Sequence, residues 1–163
     1  MCMIEHIPEL LQAGVSSLKI EGRMKSAYYV GTVTNAYRHA VDAALEGRAL
    51  DDVWKREVLQ ISHRPYSTGF YFGEPGQYTS DSAYFSGAEV CAVVEGKTAD
   101  RAILTQRNKF SAGDELELVT KEHAPIAFRA EDLRDEAGAP IDCTPHPMMR
   151  FSMPLPAQAA PLS

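Results

Sequence analysis

Along the first sixty residues the apolar positions recur at helical spacing. Over 26–46, Tyr29, Val30, Val33, Tyr37, Ala40, Val41, Ala44 and Leu45 fall on one face at a 3.6-residue period, which predicts an amphipathic helix. Ser26 stands where an N-cap hydroxyl is wanted and Gly47 where the helix must end. Ile4, Ile7, Leu10 and Leu11 predict a shorter helix over 4–13. Pro8 suits its first turn, where a missing N–H leaves no bond unmade, and Gly14 suits a left-handed cap. Val53, Trp54, Val58 and Ile61 predict a third helix over about 51–61. Between the first two, VSSLKI at 15–20 reads as a short buried strand.

The pattern changes at residue 62. SHRPYSTGFYFGEPGQYTSDSAYFSG is rich in Gly, Pro, Ser and aromatics and predicts a packed joint. Tyr66, Phe70, Tyr71 and Phe72 are too apolar to be left in water, and with Tyr78, Tyr84 and Phe85 they read as a wedge between two domains. Beyond 87, AEVCAVVEG, RAILTQR, DELELVT, IAFRAEDL, PIDCTP and RFSMPLP are short runs separated by turn residues. Leu116 and Leu118 alternate with Glu115 and Glu117, as in a half-buried strand. Six such runs predict a small antiparallel barrel. The organisation expected is 1–61, a 62–83 linker, 84–156 and a frayed tail at 157–163.

The 15–20 strand has no parallel partner in this chain, and a lone strand leaves backbone groups unpaired on both edges. Residues 1–60 therefore read as the end of a larger α/β fold. The alternatives are pairing with the β region or with a second copy, a homodimer through the unpaired strand.

Composition narrows the classes. Hydrophobic residues are 45% and charged residues 23% of 163, the balance of a globular protein. No apolar run approaches the ~18 residues of a membrane span, and no secretory leader is evident. The net charge of −6 divides into −1 over 1–60 and −5 over 61–163, which excludes a general polyanion binder but leaves room for a local basic patch. Cys2, Cys91 and Cys143 do not make a disulfide scaffold and suit a reduced, cytoplasmic setting. No Gly-x-Ser-x-Gly elbow, HExxH helix or phosphate-binding P-loop occurs.

CMIEHIPELLQAGVSSLKIEGRMKSAYYVGTVTNAYRHAVD, SHRPYSTGFYFG and RNKFSAGDELEL lie in this order along the chain. The first resembles the end of the barrel in the collagenase-like peptidases of unclassified catalytic type, peptidase family U, number thirty-two. The second resembles that family's interdomain junction, and the third the NKF-x-x-GD-x-L-E pattern of its C-terminal domain. The resemblance implies an α+β chain: the incomplete C-terminal end of a (β/α)₈ barrel followed by a small antiparallel β-barrel. It implies a missing N-terminal barrel as intramolecular partner, and the family's cysteine-containing signature stretch is absent from this chain. The family's name comes from collagen and gelatin degradation. Some members are linked to prephenate-dependent hydroxylation of transfer or ribosomal RNA, and related members carry an iron–sulfur cluster.

Lys19, Glu21, Arg23 and Lys25 in LKIEGRMK are candidate site residues, because strand C-terminal ends build the active face of such barrels. Glu21 is the candidate base or orienter. The cations beside a helix start would suit a carboxylate or phosphate, and the plainer reading is an ion-pair cluster. Glu5 and His6 are adjacent, and adjacent helical residues do not face each other. The resemblance aligns Cys2 with a cluster-ligating cysteine of the hydroxylase-like relatives. Four thiolates are usually required, so this chain alone is expected to hold no cofactor. Cys91 and Cys143 read as strand packing. His63, Arg64 and Tyr66 could stack on a base or a peptide, or fix an interdomain contact.

Three functions are expected from this reading. The first is the C-terminal portion of a collagenase-like peptidase-family protein, inactive alone as a hydrolase, with an accessory β domain that positions a macromolecular substrate, a peptide or structured RNA, or covers the barrel mouth. The second is part of an RNA hydroxylation enzyme, with the β domain engaging structured RNA through Arg64, Arg107 and Lys109. The third is a standalone interaction domain.

Overall fold

The three helical patterns fold as helices. A computed structural model describes residues 1–76 and 86–163; Tyr78, Tyr84 and Phe85 lie outside the described residues. A 3-10 turn at Ile4–His6 runs into α1, Ile7–Gln12, with Pro8 in its first turn. Helix α2 is Ala27–Leu45, and its Ser26 Oγ accepts from the Tyr29 N–H at 3.2 Å. Helix α3 is Asp52–Gln60, where Asp51 caps the Val53 N–H at 3.0 Å. Gly14 and Gly47 take φ of +85° and +68°, the left-handed caps the sequence predicts. Ile4, Ile7, Ala36, Ala40, Trp54 and Val58 meet in one core, and the His39 ring stacks on Trp54 at 3.8 Å. These elements belong to a first compact unit, Met1–Ala88.

Residues 15–20 form no strand, which corrects the sequence expectation. Val15 and Ile20 are half-buried and the residues between them exposed. A strand exists only when its N–H and C=O groups find a neighbouring strand, and no described segment pairs with this one. Among the described residues the first unit thus consists of helices and loops, without a strand.

The second unit, Glu89–Ser163, is antiparallel throughout. Strands β1 (Ala92–Lys97), β2 (Ala102–Gln106), β5 (Arg134–Asp135) and β6 (Arg150–Met153) form one sheet in the order β1-β2-β6-β5. Strands β3 (Glu115–Leu118) and β4 (Ile126–Arg129) form a separate hairpin with Leu116 opposite Phe128. Among the described residues the strands thus pair as two separate antiparallel sheets where the sequence predicts one small barrel. PIDCTP contributes only isolated bridges, Ser111 with Cys143 and Arg134 with Pro140. Val94, Ala102, Leu104, Phe110, Ala130, Leu133, Phe151 and Met153 fill the core, where Phe110 meets Phe151 edge-on at 5.6 Å.

The C-terminal tail is seated, not frayed. The Val94 N–H donates to the Ser163 carbonyl at 3.0 Å and the Leu162 N–H to the Val94 carbonyl at 2.8 Å, so the tail lines the free edge of β1. Lys97 Nζ adds a bond to the Ala157 carbonyl, and Ala159 is buried. Mixed helices and antiparallel sheets are the architecture.

Candidate functional site

The loop 19–25 leads into α2 and lies open. Lys19 and Glu21 pair at 4.0 Å with both side chains largely exposed. Glu21 Oε1 accepts from the Arg23 backbone N–H at 2.9 Å, a local turn bond. Gly22 lies close to α2: a β-carbon there would sit 2.7 Å from Cγ2 of Val30. Its lack of a side chain thus serves packing on the helix.

Lys25 joins this loop to the segment after α3. Its Nζ donates to the Ser62 carbonyl at 2.8 Å and lies 5.0 Å from the Tyr29 ring centroid. His63 follows, stacked on Tyr66 at 4.1 Å, with Nδ1 2.7 Å from the Arg64 carbonyl. Tyr66 reaches back to donate to the Val58 carbonyl at 3.0 Å. Two sets that the sequence places some forty residues apart, Lys25 and His63–Arg64, are thereby neighbours.

Beneath them Cys2 sits among phenols. Its N–H donates to the Ser67 carbonyl at 2.9 Å, and the Tyr37 hydroxyl accepts from the Met3 N–H at 2.8 Å and donates toward Cys2 Sγ at 3.6 Å. Burial, with the neighbouring thiol adding to it, pushes the Tyr37 phenol well above the ordinary tyrosine range. Tyr66 and Tyr29 move the same way, again chiefly by burial. Periodicity assigned Tyr29 and Tyr37 to the apolar face of α2. Spacing cannot tell a ring that only packs from one whose hydroxyl reaches a thiol.

The remaining candidates separate. Glu5 pairs with Lys55 Nζ at 3.2 Å, while His6 Nδ1 lies 3.4 Å from Glu9 Oε1 and its ring meets Phe72 at 4.5 Å, so Glu5 and His6 form no acid–base pair. Cys91 and Cys143 are half-buried in the second unit, and burial pushes the Cys91 thiol up. Among the described residues no three His, Cys, Asp or Glu side chains gather as a metal site. One thiol cannot supply the four that an iron–sulfur cluster takes, so the described residues do not fit that group.

Phe70, Tyr71 and Phe72 correct another expectation: they are 80%, 62% and 64% exposed. With Met1 and Gly69, Phe70 and Tyr71 line an open hollow of about 350 Å³. The NKF-x-x-GD-x-L-E residues are architectural. Phe110 is core, Asn108 Nδ2 holds the Val90 carbonyl at 2.9 Å, Gly113 turns at φ +93°, and Asp114 Oδ2 accepts from the Ser111 N–H at 2.8 Å.

These motifs have counterparts in known proteins. The profile described as Peptidase family U32 matches residues 1–81, and the one described as Peptidase family U32 C-terminal domain matches 87–163. The chain is 34% identical over 154 residues to tRNA hydroxylation protein P1 of Bacillus subtilis, covering 90% of this chain and 36% of that protein. It is 33% identical over 162 residues to tRNA hydroxylation protein P of Escherichia coli, covering 94% and 35%. A collagenase of Porphyromonas gingivalis is 27% identical over 146 residues, covering 82% and 34%. The C-terminal domain of a Geobacillus thermoleovorans protein described as a U32 peptidase superposes with a TM-score of 0.44 at 27% identity, covering 46% of this chain and 94% of that one. The chain spans about a third of the length of these curated relatives. With both profiles matched in order, and relatives above 30% identity aligned along nearly all of it, the chain belongs to peptidase family U32.

Proposed function

We propose that this chain is the C-terminal portion of a protein that takes part in tRNA hydroxylation in the cytoplasm. The observation that carries the reading is the continuous alignment, through both units, with proteins named for that process. In this reading the first unit contributes the Lys19–Lys25 loop, with Glu21, Arg23 and the adjoining His63 and Arg64, to a larger catalytic barrel. The β unit is accessory, and the chain alone is inactive. The test replaces the matching third of the Escherichia coli protein with this chain, in a strain lacking the native protein. Hydroxylated nucleosides in bulk tRNA are then measured by mass spectrometry. Restored hydroxylation is expected; a folded, expressed chimera that restores none overturns the reading.

The Porphyromonas gingivalis collagenase favours a second reading, in which the parent protein cleaves a peptide substrate. Gelatin cleavage by the same chimera, abolished by Glu21→Ala, would establish it.

A further inference from the structure

The segment 62–72 runs as a ribbon across the first unit. It meets Lys25 at Ser62, Cys2 at Ser67, Met1 at Gly69 and His6 at Phe72. One end is cationic. Residues 19–25 hold Lys19, Arg23 and Lys25 against the single carboxylate of Glu21, and 62–72 holds Arg64 and no carboxylate. The other end carries three successive exposed rings, Phe70, Tyr71 and Phe72. Tyr66, by contrast, is pinned by its hydroxyl and by the His63 ring.

We infer that this ribbon is a track for single-stranded RNA, with phosphates against Arg23, Lys25 and Arg64 and bases stacked on Phe70, Tyr71 and Phe72. The inference rests on the tRNA reading above and places the RNA contact on the helical unit. Sequence-tolerant binding of an unpaired strand combines cationic contacts to its backbone with exposed rings for its bases, and this segment with the loop it meets carries both. Charge favours RNA over a polypeptide here, because a surface awaiting only a protein core needs no such excess of cations beside it. The β unit is the poorer candidate. It carries eight Lys and Arg against twelve Asp and Glu.

The experiment uses the whole chain and a fluorescein-labelled, mixed-sequence single-stranded oligoribonucleotide, followed by anisotropy from low to moderate salt. Binding is expected at low salt. Phe70→Ala with Phe72→Ala should weaken it about fivefold or more per ring with the salt slope unchanged. Arg64→Gln should reduce that slope by about 0.7. Circular dichroism confirms that each variant folds. Absence of binding at low salt overturns the inference, and so does binding indifferent to the ring substitutions. It is also overturned if those substitutions instead abolish association with the N-terminal two-thirds of the Escherichia coli relative supplied in trans, for the face would then be a protein contact. If the oligonucleotide result holds while the chimera restores no hydroxylation, the tRNA reading fails and the RNA track stands.

Discussion

The two units treat their apolar surface differently. The β unit closes over its own core: among the described residues its large exposed hydrophobics are Met148 and Leu162, and even its C-terminal tail covers an open strand edge. The helical unit buries Ile7 and Trp54 but leaves Met1, Leu18, Met24, Val30, Leu45, Leu59, Phe70, Tyr71 and Phe72 exposed. A sheet that folds back on itself pairs backbone and side chains within a short stretch. Three helices can cover only the faces they turn to one another. Among the described residues, exposed apolar surface is thus concentrated on the helical unit.

The comparison breaks first if the units do not melt separately. Phe151 is almost wholly buried, and Phe151→Ala should destabilise the β unit by about 3–5 kcal/mol. Urea unfolding followed by circular dichroism should show an early transition. Trp54, the one tryptophan and a reporter in the helical unit, should keep its fluorescence midpoint. A Trp54 midpoint that moves with the β signal would show one cooperative body.

Ile7→Ala should do the reverse. Ile7 is fully buried between the helices, and the truncation should cost about 2–5 kcal/mol, read by Trp54 fluorescence with the β transition unmoved.

Tyr37→Phe sharpens the picture of the thiol site. It removes the acceptor of the Met3 N–H and the donor to Cys2, for an expected loss of about 0.5–1.5 kcal/mol. A midpoint equal to wild type would mean that these bonds are replaced without cost by water.

Asp132→Asn should have the smallest effect, with a distinctive pH dependence. Hydrogen bonds from Arg134 and then Arg101 hold the Asp132 carboxyl below its ordinary value. A carboxylate depressed on folding adds stability above its unfolded pKa of about 4, and that stability disappears as pH falls through the lower folded value. Wild type should exceed the variant at neutral pH and converge with it in strong acid. A gap that persists in acid would place its cause elsewhere.

The helices were legible because their causes are local. Ser26, Gly14 and Gly47 act within one turn of the ends they cap, and the period of Val33, Ala36 and Ala40 needs no distant residue. Five of the six β runs hold strands, and in β3 the cause is again local, the alternation of Leu116 and Leu118 with Glu115 and Glu117. The two-residue β5, just beyond IAFRAEDL, exists only through its bonding to β6. The site was less legible. Lys25 and His63 were each singled out, but their adjacency is tertiary, marked by the bond from Lys25 to Ser62 across thirty-seven positions.

By itself the sequence determined where helices begin and end, which runs favour extension, and the family to which the chain belongs. Those features follow from periodicity, capping and motif order, all of which are local. The tertiary structure decided that 15–20 forms no strand, that the tail joins β1, that Phe70–Phe72 face outward and that Lys25 meets Ser62. Each of these depends on whether a segment distant in sequence arrives to satisfy a backbone group or cover a side chain, and no local pattern encodes that.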